Sequence, residues 1–135
     1  MTLKAFVGAS AVTTAIVVLL AASPAVARQP EPRLRETMTV SFTKPVLIGD
    51  RVLLGKYVIE HSNNRMARGL PCTYIYAASD MRLPVVAFHC RHLNRPMRMQ
   101  STVIVRPLGE PNGMARLMEF QFAGERGAHA PPTRR

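Results

Sequence analysis

From Thr37 to Thr43 the chain reads TMTVSFT, with Met38, Val40 and Phe42 on one parity and Thr37, Thr39, Ser41 and Thr43 on the other. A two-residue period is that of a half-buried strand, because successive side chains of extended backbone point to opposite faces. The same pattern recurs in short pieces. PVLIGDRVLLGKYVIEH follows, with Gly49-Asp50 as a two-residue hairpin turn and Gly55 marking a bulge or a second turn. Then come CTYIYA and PVVAFHCRH joined by ASDMRLP, and STVIVR and RLMEFQFAG flanking the turn-rich PLGEPNGMA. No long three-four period with caps occurs, so helix is confined to a short turn near Asn63 to Arg68. Six to seven strands at this spacing predict an all-β domain, a small antiparallel β-sandwich or barrel. Its expected core is Met38, Val40, Phe42, Leu53, Tyr57, Ile59, Tyr74, Phe88, Val103, Val105, Phe120 and Phe122, with Met118 sharing the face of the last two.

The 135 residues divide by composition. Residues 1–27 hold one early charge, Lys4, an apolar run from Ala11 to Ala22, Pro24, and the small-residue ending Ala25-Val26-Ala27. That is the pattern of a cleaved secretory signal peptide, and the run is shorter than the roughly 20 residues of a spanning helix, so no transmembrane segment is expected after cleavage. Residues 28–35 read as a flexible leader, 36–123 as the β-domain, and 124–135 (GERGAHAPPTRR) as a disordered tail. The expected location is the periplasm or the extracellular space.

Formal net charge is +10, carried mostly by arginine. The arginines are scattered (Arg51, Arg65, Arg68, Arg82, Arg91, Arg95, Arg98, Arg106, Arg116) and not run together, which favours loose attraction to anionic envelope components over specific nucleic-acid binding.

Two cysteines in an exported chain predict a disulfide, Cys72 to Cys90. An antiparallel hairpin with these two opposite each other sets Tyr74 against Phe88 and Tyr76 against Val86, both favourable cross-strand pairs. A bridge closing a loop of this length contributes about 3 kcal/mol in the chain-entropy model.

The segment AFHCRHLNRPMRM, Ala87 to Met99, concentrates side chains that copper and zinc prefer. Strand alternation divides it, sending Cys90 and His92 one way and His89 the other, and a disulfide removes the Cys90 thiolate. Cys90, His92 and Met97 are similar to the Cys, His and Met of one cupredoxin loop, but with only Arg91 between Cys and His where that family has two or more residues. The metal-ligating candidates are therefore His61, His89, His92, Met97 and Met99, for copper or zinc. Catalysis lacks a basis in the sequence: there is no G-x-S-x-G, no H-E-x-x-H and no paired-carboxylate cluster, and Asp50 and Asp80 stand in turns.

FTKPVLIGDRVLLGKYVIEH, RMARGLPCTYIYA, PVVAFHCRHLNRP and LMEFQFAG together resemble a family of small exported bacterial β-proteins of uncharacterised activity. The resemblance implies a shared β-fold and no catalytic residues. The expectation is an exported, non-enzymatic binding or structural module of the cell envelope that needs no cofactor, with a periplasmic copper- or zinc-binding protein as the alternative.

Overall fold

The computed structural model describes residues 34–109, 111 and 113–132; the expected signal peptide and all but the end of the expected leader lie outside them. The elements are β1 (Arg35–Ile48), β2 (Arg51–Ser62), α1 (Asn63–Ala67), β3 (Thr73–Ala77), β4 (Val86–Phe88), β5 (Arg91–Leu93), β6 (Thr102–Pro107), β7 (Ala115–Gln121) and β8 (Ala128–Ala130). The fold is all-β. Among the described residues no helix is long and apolar enough to cross a membrane.

All eight strands join one sheet in the order β4-β3-β2-β1-β7-β8-β5, with β6 on β7. Every pairing is antiparallel except a short parallel contact of β1 with β7 at Val46 and Leu47. The two ends of this path, β4 and β5, are separated in sequence by His89 and Cys90 alone. Three backbone steps reach at most about 11 Å. The sheet must therefore curl until its first and last strands are neighbours.

Local chemistry explains the longest hairpin. Gly49 adopts φ 64°, the positive value that a two-residue turn requires at its first position, and Ile48 pairs with Arg51 across it. The register then shifts between Phe42 and Val46, so the expected bulge lies opposite Gly55. On the concave side β1 presents Glu36, Met38, Val40 and Phe42, and β2 presents Ile59 and His61. An apolar stripe thus ends in a polar pair at one rim. On the convex side Glu60 is 1% exposed, yet it is held by Arg35 and, at 2.6 Å, by Arg65, whose guanidinium also sits 4.1 Å from the centre of the Tyr74 ring. Arg65 reaches both from α1, whose N-cap Ser62 accepts a hydrogen bond from the Arg65 amide.

The core contains Met38, Phe42, Leu53, Ile59, Phe88, Phe120 and Phe122 as expected, with Val40, Tyr57 and Val103 packed partly buried against it. Four expectations are corrected. The β3–β4 hairpin forms one residue out of the expected register, with Thr73 opposite Phe88 and Ile75 opposite Val86, so Ile75 enters the core and Tyr74 lies half-buried under Arg65. The run PVVAFHCRH is two strands, because β4 bonds to β3 whereas β5 bonds to β8. Val105 is exposed and Met118 half-buried: a register shift between Ile104 and Val105 changes the parity of β7, so Leu117 and Phe120 both face inward. Finally, residues 128–130 of the expected disordered tail form β8, buried throughout between β7 and β5.

Candidate functional site

The polar rim of the concave face gathers side chains from four strands, β1, β2, β5 and β8, and two connections. His61 stands at the end of β2, with Glu36 of β1 as its cross-strand partner. Two-residue alternation carries it there from Ile59. His129 comes from β8, where it pairs with Phe120 on one side and His92 on the other. Cys90 lies in the link between β4 and β5 that joins the ends of the sheet, and Glu125 lies in the turn before β8.

One ligand atom each from His61, Cys90 and His129 lie within 4.8 Å of one another. The imidazoles of His61 and His129 have ring centres 4.1 Å apart, and both are buried. His129 Nε2 is 3.0 and 3.1 Å from the two carboxylate oxygens of Glu125. A carboxylate only accepts, so Nε2 carries the proton and donates it. In the neutral ring Nδ1 is then the lone-pair nitrogen, and it faces Cys90 Sγ at 3.5 Å. On a tetrahedral zinc ion a nitrogen and a sulfur stand about 3.6 Å apart. A ligating histidine whose far nitrogen is fixed by a carboxylate is the usual outer arrangement of a metal centre.

His61 supplies the most telling atom. Its Nδ1 is buried and has no hydrogen-bond partner among the described residues. A buried polar atom left unpaired costs roughly 1–3 kcal/mol. Burial, reinforced by the charge of His129 and outweighing the attraction of Glu125, lowers the His61 pKa to about 4, so the ring is neutral at neutral pH and keeps a lone pair on one ring nitrogen.

Burial pushes the Cys90 thiol up to about 12, and its hydrogen bond with Cys72 adds to the effect. A bound cation reverses this, since a coordinating thiol is deprotonated outright. Burial also raises Glu125, but the hydrogen bond and charge of His129, with His61 and Glu36 behind them, prevail and hold that carboxyl below its ordinary value. Glu36, Glu125 and His129 form a second set of ligand atoms within 4.8 Å on the other side of the His129 ring.

Cys72 and Cys90 are free thiols in this structure, with sulfurs 2.7 Å apart and the Cys90 amide donating to Cys72 Sγ at 3.0 Å. They meet although the strand register does not pair them, because the chain bends at His89 and Cys90 as it leaves β4 for β5.

Two of the five expected metal candidates reach this rim. His61 is central, and His92 stands edge-on to His129 with ring centres 5.9 Å apart. His92 lies over Gly127, where a Cβ would come within 2.2 Å of its Nε2, and Gly127 has φ 103°, so glycine alone fits beneath the ring. His89 is exposed and outside the cluster. Met97 and Met99 are 49% and 86% exposed. The residues that sequence reasoning missed are His129, Glu36 and Glu125, together with Cys90 as a ligand. The signal for His129 was its place between two alanines in GAHA, a minimal alternation set among residues that resemble a tail.

No protein-family model, curated protein or solved structure matches the chain.

Proposed function

We propose that this protein is an exported, non-catalytic module that binds one thiophilic or borderline metal ion, Zn2+ or Cu+, through His61, Cys90 and His129. The observation that carries the proposal is the orphaned Nδ1 of buried His61 beside an oriented imidazole and a thiol, with ligand atoms within 4.8 Å. A set of one sulfur and two nitrogens suits these ions and excludes the hard cations that prefer oxygen. Glu125 fixes the His129 tautomer, and His92 stands edge-on to the His129 ring. Export rests on the signal-like residues 1–27.

In an oxidising compartment Cys72 and Cys90 form the expected disulfide, which pins the curled sheet where its ends meet. Exchange with a small disulfide passes both thiol hydrogens to the two sulfurs of that reagent and closes the protein bridge. Disulfide and metal compete for the same sulfur, so the oxidised protein is the weak-binding state and the reduced protein the strong one. Equilibrium dialysis against Zn2+ tests this: the reduced protein retains one ion per chain, and the oxidised protein binds at least tenfold more weakly. Equal retention by both forms, or none by the reduced form, overturns the proposal.

A further inference from the structure

Where β6 ends and β5 and β7 begin, a small cavity of about 160 Å3 is lined by Arg91, Arg106 and Arg116 over Leu47, Leu117 and Pro131. No acidic residue lines it. Arg106 and Arg116 are direct cross-strand partners in the β6–β7 register, and Arg91 comes from β5, which β8 separates from β7. Like charges placed opposite each other destabilise a sheet pair. The four other arginines that form ion pairs among the described residues are matched with Glu60, Asp80 or Glu119, but these three are not. Three guanidinium groups thus surround one recess, and no carboxylate of the described residues lines it.

We infer that this recess is a binding site for a phosphate group. A tetrahedral oxyanion offers several oxygens to guanidinium forks, each of which donates two parallel hydrogen bonds, and its charge removes the repulsion between Arg106 and Arg116. The cavity lies below the roughly 300 Å3 at which pockets begin to enclose drug-sized molecules, so it takes a single phosphate and leaves the rest of any larger ligand outside. Free inorganic phosphate and the headgroup of an anionic phospholipid share this chemistry. The site is separate from the histidine rim and does not depend on the metal reading.

The test uses the full chain and two probes: inorganic phosphate, with sodium chloride at equal ionic strength as the blank, and vesicles of phosphatidylglycerol in phosphatidylcholine. Three proteins are compared, the wild type, Arg106→Ala/Arg116→Ala, and Arg51→Ala as a charge control outside the recess. Saturable binding of either probe that weakens about tenfold or more in the double variant, and less than twofold in Arg51→Ala, supports the site. If inorganic phosphate meets this criterion the source is soluble phosphate; if only the vesicles do, it is the lipid headgroup. Thermal unfolding gives a second reading, in which phosphate raises the midpoint of the wild type and of Arg51→Ala but not that of the double variant. Equal loss in the double variant and the control, or no preference for phosphate and phosphatidylglycerol over their blanks, overturns the inference.

Discussion

His129→Ala in the reduced protein lowers the affinity for Zn2+ at least 100-fold, about 2.7 kcal/mol. The size follows from its place: its ring joins Cys90 Sγ on one side to the Glu125 carboxylate on the other. Removing it deletes a ligand and releases the carboxylate that oriented it. Glu125→Gln keeps the ligands and loses the anionic acceptor, so it costs roughly 10- to 100-fold, the range typical of outer partners of metal-binding histidines. His89→Ala and Met97→Ala change affinity less than twofold, because both side chains are exposed and His89 stands outside the cluster. Isothermal titration of the four variants, each checked for native circular dichroism, separates these outcomes. Wild-type affinity in His129→Ala contradicts the assignment of the site.

Phe120→Ala lowers the free energy of unfolding by about 4 kcal/mol, read from urea denaturation at fixed redox state. Phe120 is 1% exposed, and its ring packs 5.4 Å from His129, 5.8 Å from Phe122 and 6.4 Å from Phe88. It therefore links the apolar core to the histidine rim. Deleting a fully buried aromatic side chain removes its transfer free energy and leaves a cavity that three packed rings cannot refill. That loss is a large fraction of the 5–15 kcal/mol by which small domains are stable, so part of the metal affinity falls with it. A decrease below about 1.5 kcal/mol would mean that Phe120 is not at the centre of the packing.

The strand content was legible where side chains alternate without interruption. The parity of Met38, Val40 and Phe42 sets the concave face of β1, and the step from Ile59 to His61 carries a histidine onto the same face. Gly49 declares its turn because only glycine adopts positive φ freely. Cys72 and Cys90 lie close, as free thiols 2.7 Å apart, but not through the expected register. That register assumes that two bonded sulfurs must be cross-strand neighbours, whereas the chain leaves β4 at His89 and brings Cys90 back to Cys72 through a bend. Placing the second half of PVVAFHCRH requires knowing that β8 exists. β8 is three residues long, and its strand conformation is fixed by β7 and β5 on either side, with no contribution from propensity of its own. A tertiary constraint of that kind leaves no periodic trace beyond the single alternation of GAHA, so His129 was hidden while His61 and His92 were visible.

Metal-edge X-ray absorption of the reduced, Zn2+-loaded protein is the most direct test of the central claim. The His61, Cys90 and His129 site predicts one sulfur scatterer at about 2.3 Å and imidazole nitrogens at about 2.0–2.1 Å, with the sulfur signal lost in Cys90→Ser. A spectrum made of oxygen scatterers alone, or one with sulfur that persists in Cys90→Ser and Cys72→Ser alike, would contradict it.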